Sequence, residues 1–216
     1  MEFEFIYEPV QLIIVKDVFT KKENEEILAE AISNEKEFVP AETNGTNSIK
    51  NIRNNISCYY DELYSKDRTK SKLLEAINGC FGNPEIAEIF SSFTHPINLI
   101  TETNNHETVM GRYGDEGQEY KYHADTNGSD GRLISIVFYF NKEPKEYEGG
   151  EIQFTRSPVH SGIAVDKNQT PINITPENNM MVVFGSKVAH RVLPTTSPKT
   201  FDSGRFSVNC NLGIRR

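Results

Sequence analysis

The chain has no tryptophan and only three cysteines. Cys58, Cys80 and Cys210 are odd in number, widely spaced and outside any C-x-x-C pair. Neither a disulfide framework nor a zinc knuckle is indicated, and all three are expected as reduced thiols. Long hydrophobic runs are missing too, the longest apolar stretches falling far short of the ~20 residues that cross a bilayer. The N-terminus, MEFEFIYEPVQLIIVKDVF, is acidic where a secretory leader is basic, which predicts a cytoplasmic protein with no membrane partner. Positive charge is also scarce. The 23 Lys and Arg face 31 Asp and Glu, for a formal charge of −8, so the average field repels phosphate backbones and nucleic acid is not expected as a partner.

What remains suits a folded protein. Hydrophobic residues make up 37% and charged residues 25%, too apolar and too balanced for disorder, and 216 residues fit one unit of barrel or sandwich type with helical additions. Glu2 to Val18 predicts one or two strands divided at Pro9. Thr20 with Glu23 three residues on forms a capping-box pattern ahead of Ile27, Leu28, Ala31 and Ile32, which predicts a helix over 21–33. Val39 to Asn55 is rich in Asn, Thr and Gly without a sustained period, and reads as a long loop, either a connector or a lid. Two short helices follow, Arg68 to Ile77 and Pro84 to Phe90, with Gly79 and Gly82 as stops.

Beyond Phe93 the texture changes to short Val-, Ile-, Phe- and Tyr-rich segments between Gly, Pro, Asn and Asp clusters. Strands are expected near Ile97–Thr101, Glu107–Tyr113, Leu133–Asn141, Glu151–Thr155, Ile172–Thr175, Met180–Gly185, His190–Leu193 and Arg205–Gly213. The fold class is therefore mainly β, with residues 1–95 as a helical and strand support region and 96–216 as the β core. The pair Gly149 and Gly150 suits a tight turn with positive φ. The segment SPVHSGIAVDKNQTP, containing His160, is long enough to lie over an opening, as a plain loop or as a substrate contact.

Chemistry concentrates in a few places. In YHADTNGSDGRLISIVFYFN an extended chain would point His123 and Asp125 to one side, since residues two apart share a face. His190, in VVFGSKVAHRVLP, starts a strand just beyond a fully apolar one and is the chosen third ligand over His95, His106 and His160. Two histidines and one carboxylate with open positions make the facial triad of non-haem Fe(II) oxygenases. In the last strand, GRFSVNCNLG, alternation places Arg205, Ser207 and Asn209 on one face and Phe206, Val208 and Cys210 on the other. A buried guanidinium needs an anionic partner, either an internal Asp or Glu or a dicarboxylate ligand held by a bidentate fork.

Taken in order, YGDEGQEYKYH with Asp125, DGRLISIVFYFN, EGGEIQF, MVVFGSKVAHRV and RFSVN resemble the catalytic core of the Fe(II)- and 2-oxoglutarate-dependent oxygenases, in their prolyl 4-hydroxylase-like branch, over about 113–213. The resemblance implies a double-stranded β-helix (jelly-roll) braced by helices, with His123, Asp125 and His190 as metal and catalytic residues. It implies that Arg205 binds the distal carboxylate of 2-oxoglutarate, with Tyr113, Tyr139 and Ser207 beside it, and that Arg132 lies at the pocket mouth as a substrate contact or a strand-edge cation. Fe(II), 2-oxoglutarate and O2 are the implied cofactors and cosubstrates, with ascorbate as a candidate reductant. The implied reaction hydroxylates an unactivated C–H bond in a peptide or protein, prolyl or another residue, releasing succinate and CO2. Hydroxylation of a free amino acid or small molecule is the alternative. A nucleobase dealkylase would carry a second arginine where Asn211 stands, a halogenase would lack the Asp125 carboxylate, and a non-catalytic metal-binding barrel would have no use for Arg205 beside the triad.

Overall fold

A computed structural model describes residues 1–41, 52–114, 117–156, 170–198 and 200–214. In chain order its elements are β1 (Glu2–Ile6), β2 (Leu12–Lys16), α1 (Lys21–Ser33), β3 (Val39–Pro40), β4 (Ile56–Tyr59), α2 (Tyr60–Leu63), α3 (Lys72–Phe81) and α4 (Pro84–Ser91). They continue with β5 (Asn105–Tyr113), β6 (Gln118–His123), β7 (Arg132–Phe140), β8 (Glu148–Gly149), β9 (Ile152–Thr155), β10 (Ile172–Ile174), β11 (Met180–Gly185), β12 (Ala189–Thr196) and β13 (Arg205–Gly213). Eight strands form one sheet in the order β1-β2-β11-β7-β13-β5-β4-β3. A smaller sheet runs β10-β9-β12-β6, with β8 joined to β12. Every pairing is antiparallel, as in a jelly-roll core.

Alternation along the strands sorts the core into two layers. On β7, Ile134, Ile136, Phe138 and Phe140 face a cluster that includes Ile27 and Ala31 of α1, Leu73, Leu74 and Ile77 of α3, and Ile86 and Phe90 of α4. The intervening Val137 and Tyr139 face the smaller sheet and share a cluster with its Ile152 and Phe154 and with Val182 and Phe184 of the neighbouring β11. The helices thus brace the outer face of the large sheet, leaving its inner face for the cavity. Their ends follow the local chemistry: Thr20 and Glu23 complete the capping box of α1, Ser71 caps α3, and Asn83 caps α4 with Pro84 in the first turn.

The structure departs from the expected elements in a few places. Ile97–Glu102 is a 3-10 helix rather than a strand, because Ile97 and Ile100 are both buried and a repeat of three puts them on one face. Gly79 lies inside α3, where nothing crowds it, and only Gly82 ends the helix. The expected loop from Val39 is shorter at both ends: Val39 and Pro40 pair with β4, and Ile52 to Asn54 bond to β6 through Lys121 N to Ile52 O (2.8 Å) and Asn54 N to Glu119 O (3.4 Å). Residues 42–51 between them lie outside the described residues, as does His160. Among the described residues no helix is long and apolar enough to cross a membrane.

Candidate metal and cosubstrate site

His123 closes β6 and His190 stands near the start of β12, and the two are directly opposed across the antiparallel pair. Asp125 follows where the chain bends away. One ligand atom from each of the three lies within 4.8 Å of the others, with His123 Nε2 3.6 Å and His190 Nε2 3.8 Å from Asp125 Oδ1. His123 Nδ1 sits 2.8 Å from the carbonyl of Lys121, and His190 Nδ1 lies 3.0 Å from that of Val188. A carbonyl only accepts, so both rings carry their proton on Nδ1 and turn the Nε2 lone pair toward Asp125, the arrangement a metal ion requires. Burial, with His123 as the second cause, pushes His190 down to about 4, so it is neutral at physiological pH. For Asp125, burial works toward the neutral acid, but His190 and His123 outweigh it and hold the carboxyl below the usual carboxylate range.

The local fold explains the convergence. Along the β6–β12 ladder His190 opposes His123 and Val192 opposes Tyr120, so two steps on β12 match three on β6. This bulge shifts the alternation and brings Tyr120 onto the side of His123, where the rings stack with centroids 3.5 Å apart. Arg53 lies over the other face of Tyr120, 4.9 Å from the ring, and is held by Asn55 Oδ1 (2.6 Å) and Ser57 Oγ (3.0 Å). Among the described residues no carboxylate pairs with Arg53. Neither Tyr120 nor Arg53 is distinguishable in the sequence, since both owe their place to the bulge and to the strand-like contact of residues 52–54.

The same cavity, about 600 Å³, is lined by His123, Asp125, His190, Tyr113, Tyr139, Arg205, Ser207 and Arg132. Arg205 is 1% exposed and passes between the rings of Tyr113 (5.0 Å) and Tyr139 (4.9 Å). Its Nη1 donates to Ser207 Oγ at 3.3 Å, while its Nε and the Tyr139 hydroxyl are buried without a hydrogen-bond partner among the described residues. No internal ion pair with Asp or Glu forms among the described residues. An enclosed cation with idle donors, lying in one cavity with two imidazoles and a carboxylate, fits a carboxylate ligand such as 2-oxoglutarate. Burial raises the Tyr139 phenol, with the nearby Arg205 cation opposing, so its hydroxyl stays a proton donor.

Two glycines make this possible. Gly150, at φ +73°, lies so close that a Cβ there would stand 2.6 Å from Arg205 Cδ, and one on Gly149, at φ +72°, would strike the carbonyl of Pro194. The double glycine therefore serves the turn and also gives the guanidinium stem its channel. Arg132 is at the cavity edge but not free: Nη1 donates to the carbonyl of Asp125 at 2.8 Å, and Nη2 pairs with Glu107. It holds the main chain of a triad residue.

Comparison with known proteins agrees with this geometry. Residues 108–213 match the family described as the 2OG-Fe(II) oxygenase superfamily. An uncharacterized PKHD-type hydroxylase of Synechocystis sp. is 27% identical over 217 residues, an alignment that takes in 95% of this chain. The chain spans 64% of that relative's length. Among solved structures, a prolyl-4-hydroxylase of Pseudomonas putida superposes with a TM-score of 0.64 at 20% identity, covering 96% of this chain and 95% of the other. A prolyl hydroxylase of Trichoplax adhaerens, solved with a peptide fragment of the hypoxia inducible factor oxygen degradation domain, gives 0.65 at 14% identity, covering 94% and 83%. At those identities the likeness to the solved structures is one of fold.

Proposed function

We propose that this chain, whose residues 108–213 match the 2OG-Fe(II) oxygenase superfamily, is a prolyl 4-hydroxylase-like member that hydroxylates an unactivated C–H bond in a peptide or protein, with a prolyl residue as the first candidate. The observation that carries the reading is the buried, uncompensated Arg205 in the same cavity as His123, Asp125 and His190. In this reading the triad holds Fe(II) through the two Nε2 atoms and the Asp125 carboxylate. Arg205, Ser207 and Tyr139 receive the distal carboxylate of 2-oxoglutarate, and Tyr113 supports the guanidinium from its other face. Bound iron supplies the oxidising chemistry, with O2 and 2-oxoglutarate consumed, succinate and CO2 released, and ascorbate a candidate reductant.

The chain's own residues would bind, orient and keep water out. Phe184 and Phe154 pack beside His190, at ring separations of 4.7 and 5.9 Å, and make that wall of the site apolar. Arg53, exposed to the cavity and not neutralised by a described carboxylate, is placed to meet a substrate carbonyl or carboxylate. Arg132 acts through the Asp125 main chain and, at the cavity edge, borders the path by which substrate enters. The peptide preference draws on the open cavity and on the fold shared with the Trichoplax enzyme and its bound peptide.

Anaerobic addition of Fe(II) and 2-oxoglutarate should produce a weak visible charge-transfer band, absent from His123→Ala and His190→Ala. A band that survives those substitutions would remove the metal assignment. Substrate class is tested by mass spectrometry of peptides and lysate proteins, looking for a 2-oxoglutarate-dependent gain of one oxygen. Oxygen found only on free amino acids would move the reading to a small-molecule hydroxylase.

A further inference from the structure

Arg53 is the cavity cation that the chemistry proposed above leaves without a counter-charge. Its Nε donates to Asn55 Oδ1 at 2.6 Å and its Nη2 to Ser57 Oγ at 3.0 Å, and both partners are buried. A guanidinium carries five N–H donors. These two bonds occupy the side edge of the fork, Nε with Nη2. The end edge, formed by Nη1 and the second Nη2 hydrogen, is unengaged among the described residues. With two buried acceptors on one edge and the Tyr120 ring 4.9 Å from its carbon, the plane of this cation is set before any ligand arrives.

Position narrows what the free edge can meet. The His123 ring, stacked on Tyr120 at 3.5 Å, fills one face of that ring, so Arg53 lies across the other. A group on the free edge is therefore set back from His123 by the thickness of an aromatic ring and is not one that chelates the metal. Toward Arg205 the boundary is Gly111, where a Cβ would stand 3.7 Å from both Arg53 Nη2 and Ser207 Oγ. Its missing side chain keeps the cavity open between the two arginines. Arg205 is taken by the cosubstrate in the reading above, which leaves Arg53 for the substrate.

Charge selects the kind of group. Of the acids lining the cavity, Asp61 pairs with Arg68, Glu107 and Asp130 pair with Arg132, and Asp125 faces the two histidines. Glu62 is exposed to water and makes no ion pair with Arg53. A substrate carbonyl would accept a proton from the free edge but leave the charge of this half-buried guanidinium uncompensated. A carboxylate matches both the paired hydrogens and the charge. We infer that Arg53 is a specificity-determining residue that selects substrates with a carboxylate near the hydroxylated carbon, an Asp or Glu side chain flanking the target residue. This rests on the peptide hydroxylase reading above and names the class of peptide.

The test offers the Fe(II)-loaded protein, with 2-oxoglutarate and O2, a pool of proline-containing peptides with randomised flanks, and reads by mass spectrometry which residues surround the oxidised one. Wild type should favour Asp or Glu over Asn or Gln at one fixed offset by about tenfold, the scale of a charge-assisted hydrogen bond. Arg53→Gln, which keeps a planar group on Tyr120 but no charge, should abolish that preference, and Arg53→Glu should turn it toward Lys or Arg. A wild-type product pool without acidic enrichment, or an enrichment that survives in both variants, overturns the inference and leaves the peptide reading standing. If 2-oxoglutarate affinity, followed by the charge-transfer band, falls in Arg53→Gln as far as in Arg205→Ala, Arg53 serves the cosubstrate and the inference is overturned. A pool left unoxidised by wild type that shows the band overturns the peptide reading and the inference with it.

Discussion

Phe206, Val208, Cys210 and Leu212 on one face of β13 pack into the layer beneath the helices, while Arg205, Ser207, Asn209 and Asn211 on the other line the cavity. The first face is complete: its side chains fill space left by α3, α4 and the even-numbered residues of β7, and nothing more is needed to hold them. The second is unfinished. Arg205 Nε and Tyr139 Oη are buried with no partner among the described residues, a state that costs on the order of 1–3 kcal/mol per group. One strand thus separates what stabilises the fold from what the fold supports at a loss. A ligand carrying a carboxylate, as proposed above, would relieve it.

Substitutions on the two faces should therefore fail in different assays. The largest effect is expected for Phe206→Ala, which should lower the unfolding free energy by about 3–5 kcal/mol in urea denaturation. Molecules that remain folded should bind 2-oxoglutarate as wild type does, and a loss of affinity in that folded fraction would break the separation. Next comes Arg205→Ala, with 2-oxoglutarate affinity reduced by about 2–5 kcal/mol in anaerobic titration. Its companion, Arg205→Met, should not lower the stability of the ligand-free protein, because an isosteric apolar side chain removes an uncompensated buried charge. Unchanged cosubstrate affinity in Arg205→Ala would take that residue out of the cosubstrate role.

Gly150→Ala sharpens the comparison, since its Cβ would intrude on the Arg205 stem at a positive φ. Stability should fall by about 1 kcal/mol or more, and 2-oxoglutarate binding should weaken by less than in Arg205→Ala. Calorimetry of both quantities on one sample would show whether turn and cosubstrate pocket are coupled. The smallest effect belongs to Thr20→Ala, which removes the α1 cap far from the cavity and should cost about 1 kcal/mol in thermal unfolding, with no change in the charge-transfer spectrum.

Much of the frame was legible from local pattern. The capping box placed α1, the apolar runs placed β7 and β11, and alternation in β13 separated Arg205 and Ser207 from Phe206 and Val208. Strand β6 escaped notice because QEYKYH is polar, and as an edge strand of the smaller sheet it buries little. Ile97 to Thr101 misled because a short apolar run suits a strand or a tight helix equally, and packing against the large sheet settled it. Arg53 gave no signal, since its neighbours in sequence are ordinary loop residues and its partner Tyr120 is distant along the chain.

By itself the sequence determined the donors: two imidazoles, a carboxylate two residues from one of them, and a guanidinium on the polar side of an otherwise apolar strand. Periodicity acts over a few residues, so it could assign these groups to faces but not to one another. The tertiary structure decided that β6 pairs with β12 in the register that sets His123 against His190, that a bulge carries Tyr120 to the same side, and that Arg205 meets no carboxylate among the described residues in the shared cavity. Those outcomes depend on contacts between segments far apart in the chain, which exist only after both sheets have closed around the core.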